Sequence, residues 1–378
     1  AVVGVALVML SPHIIWQFTH DFATVKFHLY NRIDMGFSWS GIAYYLLIQP
    51  VVFGPLIGLP LFIAFFKYRQ KDAFTRALQF TVIGVLVFFL ISTFKVEFHK
   101  HWTSVLAIPL LVIGFEFFKN KPLWKRWVTT LSIITVVLLI PARLYLMVDF
   151  LPPKITKGWD VLHNWDRWAA KVQAQSAGLP VVFNNHYERA SRYAYLTQTQ
   201  VHCYNTFNYR ETQHDLWDLE TKLQGQTVFQ INRRQDSTRF NTIETPIGEV
   251  FHYRTLTNFR SYRFLKINAP TLERKQDVPL VDTLPLDLVL THKGKHTVKF
   301  LEAAPRNVFL TAHFLQGQKV ISSTRLLPLR GELNPGDIRT FSVAVPLPEM
   351  QNYQLRFSVE VDGITPPINS IKYNFKTP

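Results

Sequence analysis

The sequence has little cysteine and few acidic residues, and its first part has little charge of either sign. Cys203 is the single cysteine among 378 residues, which excludes an internal disulfide framework and a cysteine-based zinc site. Basic residues outnumber acidic ones by 41 to 26, giving a formal net charge of +15. Only 13 of the basic and 5 of the acidic residues lie within residues 1–148. This distribution excludes a disordered chain, a small disulfide-stabilised scaffold and a uniformly soluble enzyme.

Long apolar stretches occupy the first 148 residues. Residues 42–66 contain no charge and exceed the roughly 20 residues needed to cross a bilayer. Four more stretches have at most one charged residue each: residues 1–18, 77–94, 102–118 and 127–147. Buried helices of a soluble core are the alternative, but so many in succession favour a membrane. We predict a polytopic α-helical membrane protein with about five spans in residues 1–148.

Loop charges predict the orientation of these spans. Two alternate loops are basic, carrying Lys67, Arg69, Lys71 and Arg76 in one and Lys119, Lys121, Lys125 and Arg126 in the other. The positive-inside rule makes these loops cytoplasmic and puts the chain after residue 148 outside. We therefore expect a multi-pass membrane protein whose C-terminal domains lie outside the cytoplasm. The apolar start, without an initiator Met or a signal-peptide pattern, predicts the C-terminal part of a longer protein.

Two globular domains are predicted after the spans. In residues 149–267, short apolar strands at 179–183, 200–204 and 227–231 alternate with helices at 158–175, 188–196 and 215–223. This order predicts a small parallel α/β sheet, with edge strands at 251–267. Residues 268–378 contain short alternating strands separated by turn residues, which predicts a β-sandwich of immunoglobulin type. A linker is expected at residues 268–277.

The densest polar cluster near the membrane is the loop KVEFHKHW at residues 95–102. Its cations and imidazoles suit a phosphate, since they can neutralise it and donate hydrogen bonds: Lys95, His99, Lys100 and His101. Trp102 can pack against lipid or sugar. The alternative is that basic residues at a helix end simply meet anionic headgroups. Two histidines without a third ligand do not predict a metal site, and a divalent-metal requirement stays open.

Polar residues of the α/β domain form a second candidate group. His186, Tyr187 and Arg189 follow a buried strand, and ligands bind at the carboxyl ends of parallel strands. Arg210 and Asp215 precede a predicted helix. They are possible contacts for a sugar or an acceptor, although ordinary surface residues at helix starts explain them equally well. Much of the net positive charge lies in the predicted cytoplasmic loops, and no nucleic-acid-binding signature accompanies it, so we expect no nucleic-acid partner.

At these same residues the chain resembles a known family. Residues 11–17 (SPHIIWQ) and 20–22 (HDF) look like a stretch of the bacterial family 39 glycosyltransferases. These include dolichyl-phosphate-mannose protein mannosyltransferase-like enzymes and the aminoarabinose transferases of lipid A. His101-Trp102 is similar to a His-Trp pair that follows a span there. Two further groups of residues look like parts of that family's periplasmic domain: Tyr187, Ala190 and Tyr195, and Arg210, Asp215, Leu216 and Trp217. The resemblance covers about residues 11–217.

The resemblance implies a GT-C-like integral-membrane glycosyltransferase of the bacterial inner membrane, multi-pass, with its C-terminal domains in the periplasm. Such an enzyme would move a sugar from a polyprenyl-phosphate donor to a periplasmic acceptor, with membrane lipids around it. The family's catalytic Asp lies in the first external loop, which is expected N-terminal to this chain, so no catalytic base is assigned. A non-catalytic scaffold that binds envelope glycans or proteins is one alternative. A transporter of lipid-linked sugars is another, because Gly54-Pro55 and Gly58-x-Pro60 interrupt one span.

Overall fold

The computed structural model describes the chain in eleven segments. These are residues 2–20, 22–26, 38–69, 72–94, 98–152, 162–232, 240–273, 275–277, 281–300, 307–349 and 352–376. The chain divides into two compact units, Ala1–Ile155 and Thr156–Pro378. The first unit is helical, and the second contains all of the described strands.

Seven helices make up the described part of the first unit. They are α1 (Val2–Thr19), α2 (Ala23–Lys26), α3 (Trp39–Val52), α4 (Gly58–Lys67), α5 (Ala73–Ser92), α6 (Ala107–Phe118) and α7 (Pro122–Met147). A 3-10 helix, Lys100–Leu106, leads directly into α6. Three stretches are long and apolar enough to cross a membrane by length and composition: Ala73–Ser92, Lys100–Phe118 and Pro122–Met147. They coincide with three of the five predicted spans.

The apolar stretch at residues 42–66 is not one continuous helix, in agreement with the Gly and Pro residues that interrupt it in the sequence. The stretch forms two shorter helices, α3 and α4, joined by a turn at residues 53–57. Gly54 adopts φ +126°, a backbone conformation that only glycine reaches without strain. Gly58 then packs so closely on α3 that an added Cβ would lie 1.7 Å from the carbonyl oxygen of Pro50. Two glycines therefore allow the chain to turn sharply within an apolar sequence.

Local signals explain where the longer helices begin. The Asp72 side chain accepts a hydrogen bond from the Thr75 N–H at 2.7 Å and caps α5, which therefore starts earlier than the apolar pattern predicts. Pro122 occupies the first turn of α7, where a missing N–H costs nothing. α4, α5 and α6 pack around a small buried core that includes Leu61, Val82 and Leu110. Large apolar side chains on the outer faces of α5 and α7 remain exposed.

The second unit begins with a mixed α/β sheet. Its strands are β1 (Val181–Asn184), β2 (His202–Tyr204), β3 (Val228–Asn232), β4 (Asn241–Glu244) and β5 (Val250–Leu256). They lie in the order β2-β1-β3-β5-β4. β1 is parallel to β2 and β3, as predicted, whereas β5 is antiparallel to β3 and β4. The predicted helix at residues 215–223 is wrong, because only short 3-10 turns form at Gln213–Asp215 and Thr221–Leu223.

Alternate residues of these strands face two different cores. Phe183 and Phe229 pack with α8 (Trp165–Ser176) and α9 (Tyr187–Thr197) around the buried Trp168. Val182 and Val228, on the other face, join the core of the following β domain. The period of two along a strand explains the division, and both faces of the sheet are covered.

Two further sheets pack face to face in the rest of the unit. One has the order β11-β10-β14-β15-β7, with β7 (Lys275–Asp277), β10 (Val308–Gln316), β11 (Lys319–Pro328), β14 (Tyr353–Val361) and β15 (Tyr373–Lys376). The other is β13-β8-β6, with β6 (Leu265–Asn268), β8 (Thr283–His292) and β13 (Ile338–Pro346). A small pair joins β9 (Val298–Lys299) and β12 (Glu332–Leu333). Leu288, Leu310 and Leu355 of the two sheets share one core.

The pairing of β6 corrects the predicted domain boundary. We assigned residues 251–267 to edge strands of the α/β sheet, but only β5 belongs there. β6 pairs antiparallel with β8, with Ile267 opposite Leu290, so it is a strand of the sandwich. The predicted linker at 268–277 contains β7, which pairs with β15. A boundary at residue 268 would therefore separate β6 from its own sheet.

Candidate functional site

The predicted phosphate-binding loop forms an aromatic and cationic cluster where the 3-10 helix starts. We call its described residues, Phe98 to Trp102, the loop cluster. Trp102 stacks on Phe89 of α5 with ring centroids 5.5 Å apart and meets the Phe98 ring edge-on at 6.1 Å. Phe98 in turn contacts Tyr45 of α3 at 4.8 Å. These contacts attach the loop cluster to two helices and fix the direction of its backbone.

The polar members of the loop cluster lie exposed beside this aromatic base. His99, Lys100 and His101 are exposed, while Phe98 is buried and Trp102 is half-buried. The rings of His99 and His101 lie nearly parallel, with centroids 5.9 Å apart. His99 also meets Trp102 edge-on at 4.8 Å. The structure thus brings four of the five predicted residues together, and Lys95 lies outside the described residues.

The loop cluster has the chemistry of an anion site. One ammonium and two imidazoles are accessible on a rigid aromatic base, so they can donate hydrogen bonds to phosphate oxygens. No group of three His, Cys, Asp or Glu side chains suited to a metal ion occurs among the described residues. The ammonium and imidazole groups of the loop cluster can stabilise negative charge.

A second polar cluster lies at the end of α1, within residues 11–22. We did not predict it as a site from the sequence. His13, Trp16 and His20 stack in succession, with centroid distances of 6.2 and 4.4 Å. Gln17 is buried, lies 3.2 Å from the His13 ring nitrogen Nε2 and accepts a hydrogen bond from the Thr24 N–H. The helical spacing of these residues is the signal that could have found the cluster.

Arg189, one of the predicted sugar or acceptor contacts of the α/β domain, has a structural role. Its guanidinium pairs with both carboxylate oxygens of Glu249, and it lies over the Trp165 ring at 4.4 Å. The residue is 8% exposed. These contacts connect α8 and α9 to the turn between β4 and β5, so Arg189 is occupied by packing rather than available to an acceptor.

Tyr187 and Arg210 are brought together at the start of α9. Arg210 Nη2 donates to the Tyr187 hydroxyl at 3.4 Å, and both residues are half-buried. The carbonyl of His186 accepts the first hydrogen bonds of the helix, from the Arg189 and Ala190 N–H groups. Burial raises the pKa of the Tyr187 hydroxyl. These three residues border the same helix start and remain partly accessible.

The Asp215 side chain is buried, contrary to the prediction of a surface contact. Its carboxylate accepts hydrogen bonds from the Asn205 side-chain amide and, at 2.6 Å, from the Thr212 N–H. The bond from Thr212 is one half of a capping box between Thr212 and Asp215. Burial raises its pKa to about 6, opposed by the nearby Arg263 guanidinium. Arg263 also donates to the fully buried Glu220 at 2.9 Å. Asp215 therefore belongs to a buried charge network.

The carboxyl ends of the parallel strands are covered by the sandwich. The Tyr204 hydroxyl donates to the Thr365 carbonyl at 2.8 Å, and the Phe207 N–H donates to the Pro366 carbonyl at 2.9 Å. The guanidinium of Arg356 in β14 donates to the Phe207 carbonyl. The edge where α/β sheets bind ligands is thus used for packing between the two β-containing domains.

No protein-family model matches this sequence, and no curated protein matches it.

Proposed function

We propose that the chain is part of a bacterial inner-membrane glycosyltransferase of GT-C-like architecture. It would transfer a sugar from a polyprenyl-phosphate donor to a periplasmic acceptor, which is a lipid, a glycan or a protein. The second unit would lie in the periplasm, and its sandwich would be of immunoglobulin type. The resemblance of residues 11–217 to family 39 glycosyltransferases supports this proposal.

The observation that carries the proposal is the exposed loop cluster at the start of the Lys100–Phe118 stretch. His99, Lys100 and His101 present donors at the end of a helix that is long and apolar enough to cross a membrane. A lipid phosphate would occupy that depth of a bilayer. The half-buried Trp102 adds an aromatic surface for the lipid chain or the sugar.

In the proposed reaction the loop cluster acts on the leaving group. As the acceptor attacks the anomeric carbon, the bond from that carbon to the phosphate oxygen breaks, and charge develops on the lipid phosphate. Preorganised cations and hydrogen-bond donors stabilise that charge in the transition state. A carboxylate base must accept the acceptor's proton. The described residues of the loop cluster include no carboxylate, so they are assigned only to the phosphate side.

The direct test uses the intact protein in detergent with a panel of polyprenyl-phosphate sugars. Lys100→Ala should reduce lipid-phosphate release at limiting donor by about 10- to 100-fold, because a charge-assisted hydrogen bond is lost. Lys125→Ala, an exposed lysine at the start of α7, is the matched control and should retain the wild-type rate. Equal rates for the two variants would contradict the assignment.

The proposed orientation has its own test, in which cysteine labelling reports the side of the membrane. Cys203 is buried, and burial raises its thiol pKa to about 12, so it provides an unreactive background. In spheroplasts, an impermeant maleimide should label Lys100→Cys. It should label Lys125→Cys only after the membrane is permeabilised. Labelling of both sites from outside would refute the topology.

A transporter of lipid-linked sugars is the second candidate, favoured by the break between α3 and α4. Interrupted helices commonly form binding sites within membranes. Gln49, next to this break, is buried, and its Oε1 has no hydrogen-bond partner among the described residues. A transporter would move the labelled lipid across proteoliposome membranes without releasing lipid phosphate. A scaffold would do neither, and the structural roles of Arg189 and Asp215 are compatible with it.

A further inference from the structure

A cavity of about 400 Å³ lies between the α/β domain and the sandwich. One wall comes from residues 260–265, which lead into β6, and the other from the loop at residues 292–299 between β8 and β9. This volume is in the range of small-ligand pockets. Both walls belong to the second unit and are held together by the pairing of β6 with β8.

The charged residues that line the cavity are all basic. They are Arg260, Lys295 and Lys299, with His292 and His296 beside them, and no Asp or Glu lines it. Lys299 lies 3.7 Å from Glu332 and is therefore partly compensated. Neither Arg260 nor Lys295 has a carboxylate partner among the described residues. Two uncompensated cations match a ligand with two negative charges better than a monoanion.

A buried imidazole provides an additional polar group. His292 is 2% exposed, and its Nδ1 accepts a hydrogen bond from the Gly294 N–H at 3.0 Å. This bond leaves the proton on Nε2, which has no hydrogen-bond partner among the described residues. A buried donor without a partner costs free energy, so a ligand oxygen that accepts from it would be favoured.

Close packing fixes the shape of the loop. A Cβ on Gly294 would lie 2.8 Å from the His292 ring and 3.0 Å from the Phe264 Cβ. The Lys293 N–H donates to the Phe264 carbonyl at 2.9 Å, and the Tyr262 hydroxyl donates to the Lys299 carbonyl at 3.1 Å. The basic loop is therefore attached to the opposite wall at both ends, as a preformed site requires.

We propose that this cavity binds a small phosphate monoester. Arg260 and Lys295 neutralise the dianion, and His292 donates to one of its oxygens. The site is independent of the proposed glycosyl transfer, since it uses none of the residues of the loop cluster. The phosphate can be carried by a sugar or by a glycerol headgroup, and both present the same dianion.

The test measures binding to the intact protein in detergent by isothermal titration calorimetry. The probes are inorganic phosphate, a hexose 1-phosphate, glycerol 3-phosphate and, as a monoanionic comparison, glucuronate. We expect saturable binding of the phosphates, with glucuronate weaker by about tenfold or more. Preference for the hexose phosphate would identify a sugar ligand, and preference for glycerol 3-phosphate would identify a headgroup.

Three variants connect the binding to the cavity. Lys295→Gln and Arg260→Gln should each weaken phosphate binding by about tenfold, since each removes one charge-assisted contact. Lys319→Gln removes an exposed lysine from the hairpin between β10 and β11 and should leave binding unchanged. Unfolding temperatures of all three variants exclude misfolding. No saturable phosphate binding, equal affinity for glucuronate, or equal effects of all three substitutions would overturn the proposal.

Discussion

Individual residues of the second unit show how burial controls protonation. His313 of β10 is 1% exposed, stacks on Phe207 with centroids 3.7 Å apart, and shares hydrogen bonds with the hydroxyls of Ser323 and Ser358. Burial lowers its pKa from 6.5 to about 3, and the charge of Arg356 acts in the same direction. His214 follows the same rule, with a pKa of about 4. Both imidazoles are neutral in the folded protein at neutral pH.

Stability should therefore fall in mild acid. Because the folded pKa of His313 is depressed, the unfolded chain binds a proton at a pH where the folded chain does not. The contribution of neutral His313 to the free energy of unfolding is fully present above pH 6.5 and is lost as the pH falls toward about 3. Each pH unit in that window costs at most about 1.4 kcal/mol per histidine. Denaturation followed by tryptophan fluorescence at several pH values measures this slope.

His313→Gln should reduce the acid-dependent loss, because glutamine does not titrate. The substitution itself should also lower stability at neutral pH, since one of the two hydroxyl contacts is lost. His296→Gln, at an exposed position, is the matched control and should retain the wild-type slope. An unchanged slope in His313→Gln would show that the other buried groups dominate the acid response.

At the scale of elements, glycines determine how the apolar helices pack. Gly58 allows α4 to approach the backbone of α3, and Gly114 of α6 leaves room for Leu61 of α4, which would lie 2.6 Å from an added Cβ. Small residues permit close helix approach where no hydrophobic effect drives association in lipid. The hydropathy pattern does not predict this close helix packing, because a single glycine changes the mean hydropathy of an apolar stretch very little.

Gly58→Ala should destabilise the helical unit. Its Cβ would lie 1.7 Å from the Pro50 carbonyl oxygen, so α3 and α4 must separate. Gly84→Ala in α5 is the matched control, since nothing lies within 4 Å of its added Cβ. That control should be neutral or stabilising by about 0.5–1 kcal/mol through helix propensity. Thermal unfolding in detergent compares the variants, and equal midpoints would contradict the close approach of α3 and α4.

At the scale of the whole molecule, the α/β domain and the sandwich form one cooperative body. Val182 and Val228 of the α/β sheet share a core with Leu310 and Leu355 of the sandwich. Arg356 joins the two domains through the carbonyls of Phe207, Tyr209 and Ser370. Its pKa is lowered to about 10 by burial, so the guanidinium remains charged at neutral pH. We expect the second unit to unfold in a single transition.

Arg356→Met should weaken this junction. Three buried carbonyls lose their donor, and each unsatisfied group costs about 1–3 kcal/mol. The unfolding free energy of the second unit should fall by about 3 kcal/mol or more. Arg325→Met is the matched control, because Arg325 forms exposed ion pairs with Glu360 and Asp362 that contribute at most about 1 kcal/mol. Calorimetry measures the unfolding free energy of both variants. Equal losses of stability would contradict the role of Arg356 in joining the two domains.

The sequence by itself determined the local structures with strong periodic signals. The apolar stretches at 77–94 and 127–147 predicted α5 and α7, and strict alternation predicted β14. The short apolar runs at 179–183 and 227–231 predicted β1 and β3. The composition of the loop cluster also indicated an anion site, because its residues are neighbours in the chain. Each of these features depends on contacts within a few turns or within one strand.

Only the tertiary structure decided which distant residues meet. Asp215 becomes buried because Arg263 lies beside it, and the strand ends are covered because Arg356 and residues 365–367 reach them. β6 joins the sandwich through β8, although its sequence suits either sheet. The basic cavity likewise requires residues 260–265 and 292–299 to face each other. These contacts between distant parts of the chain depend on the packing free energy of the whole core. The periodicity of a local sequence does not predict them.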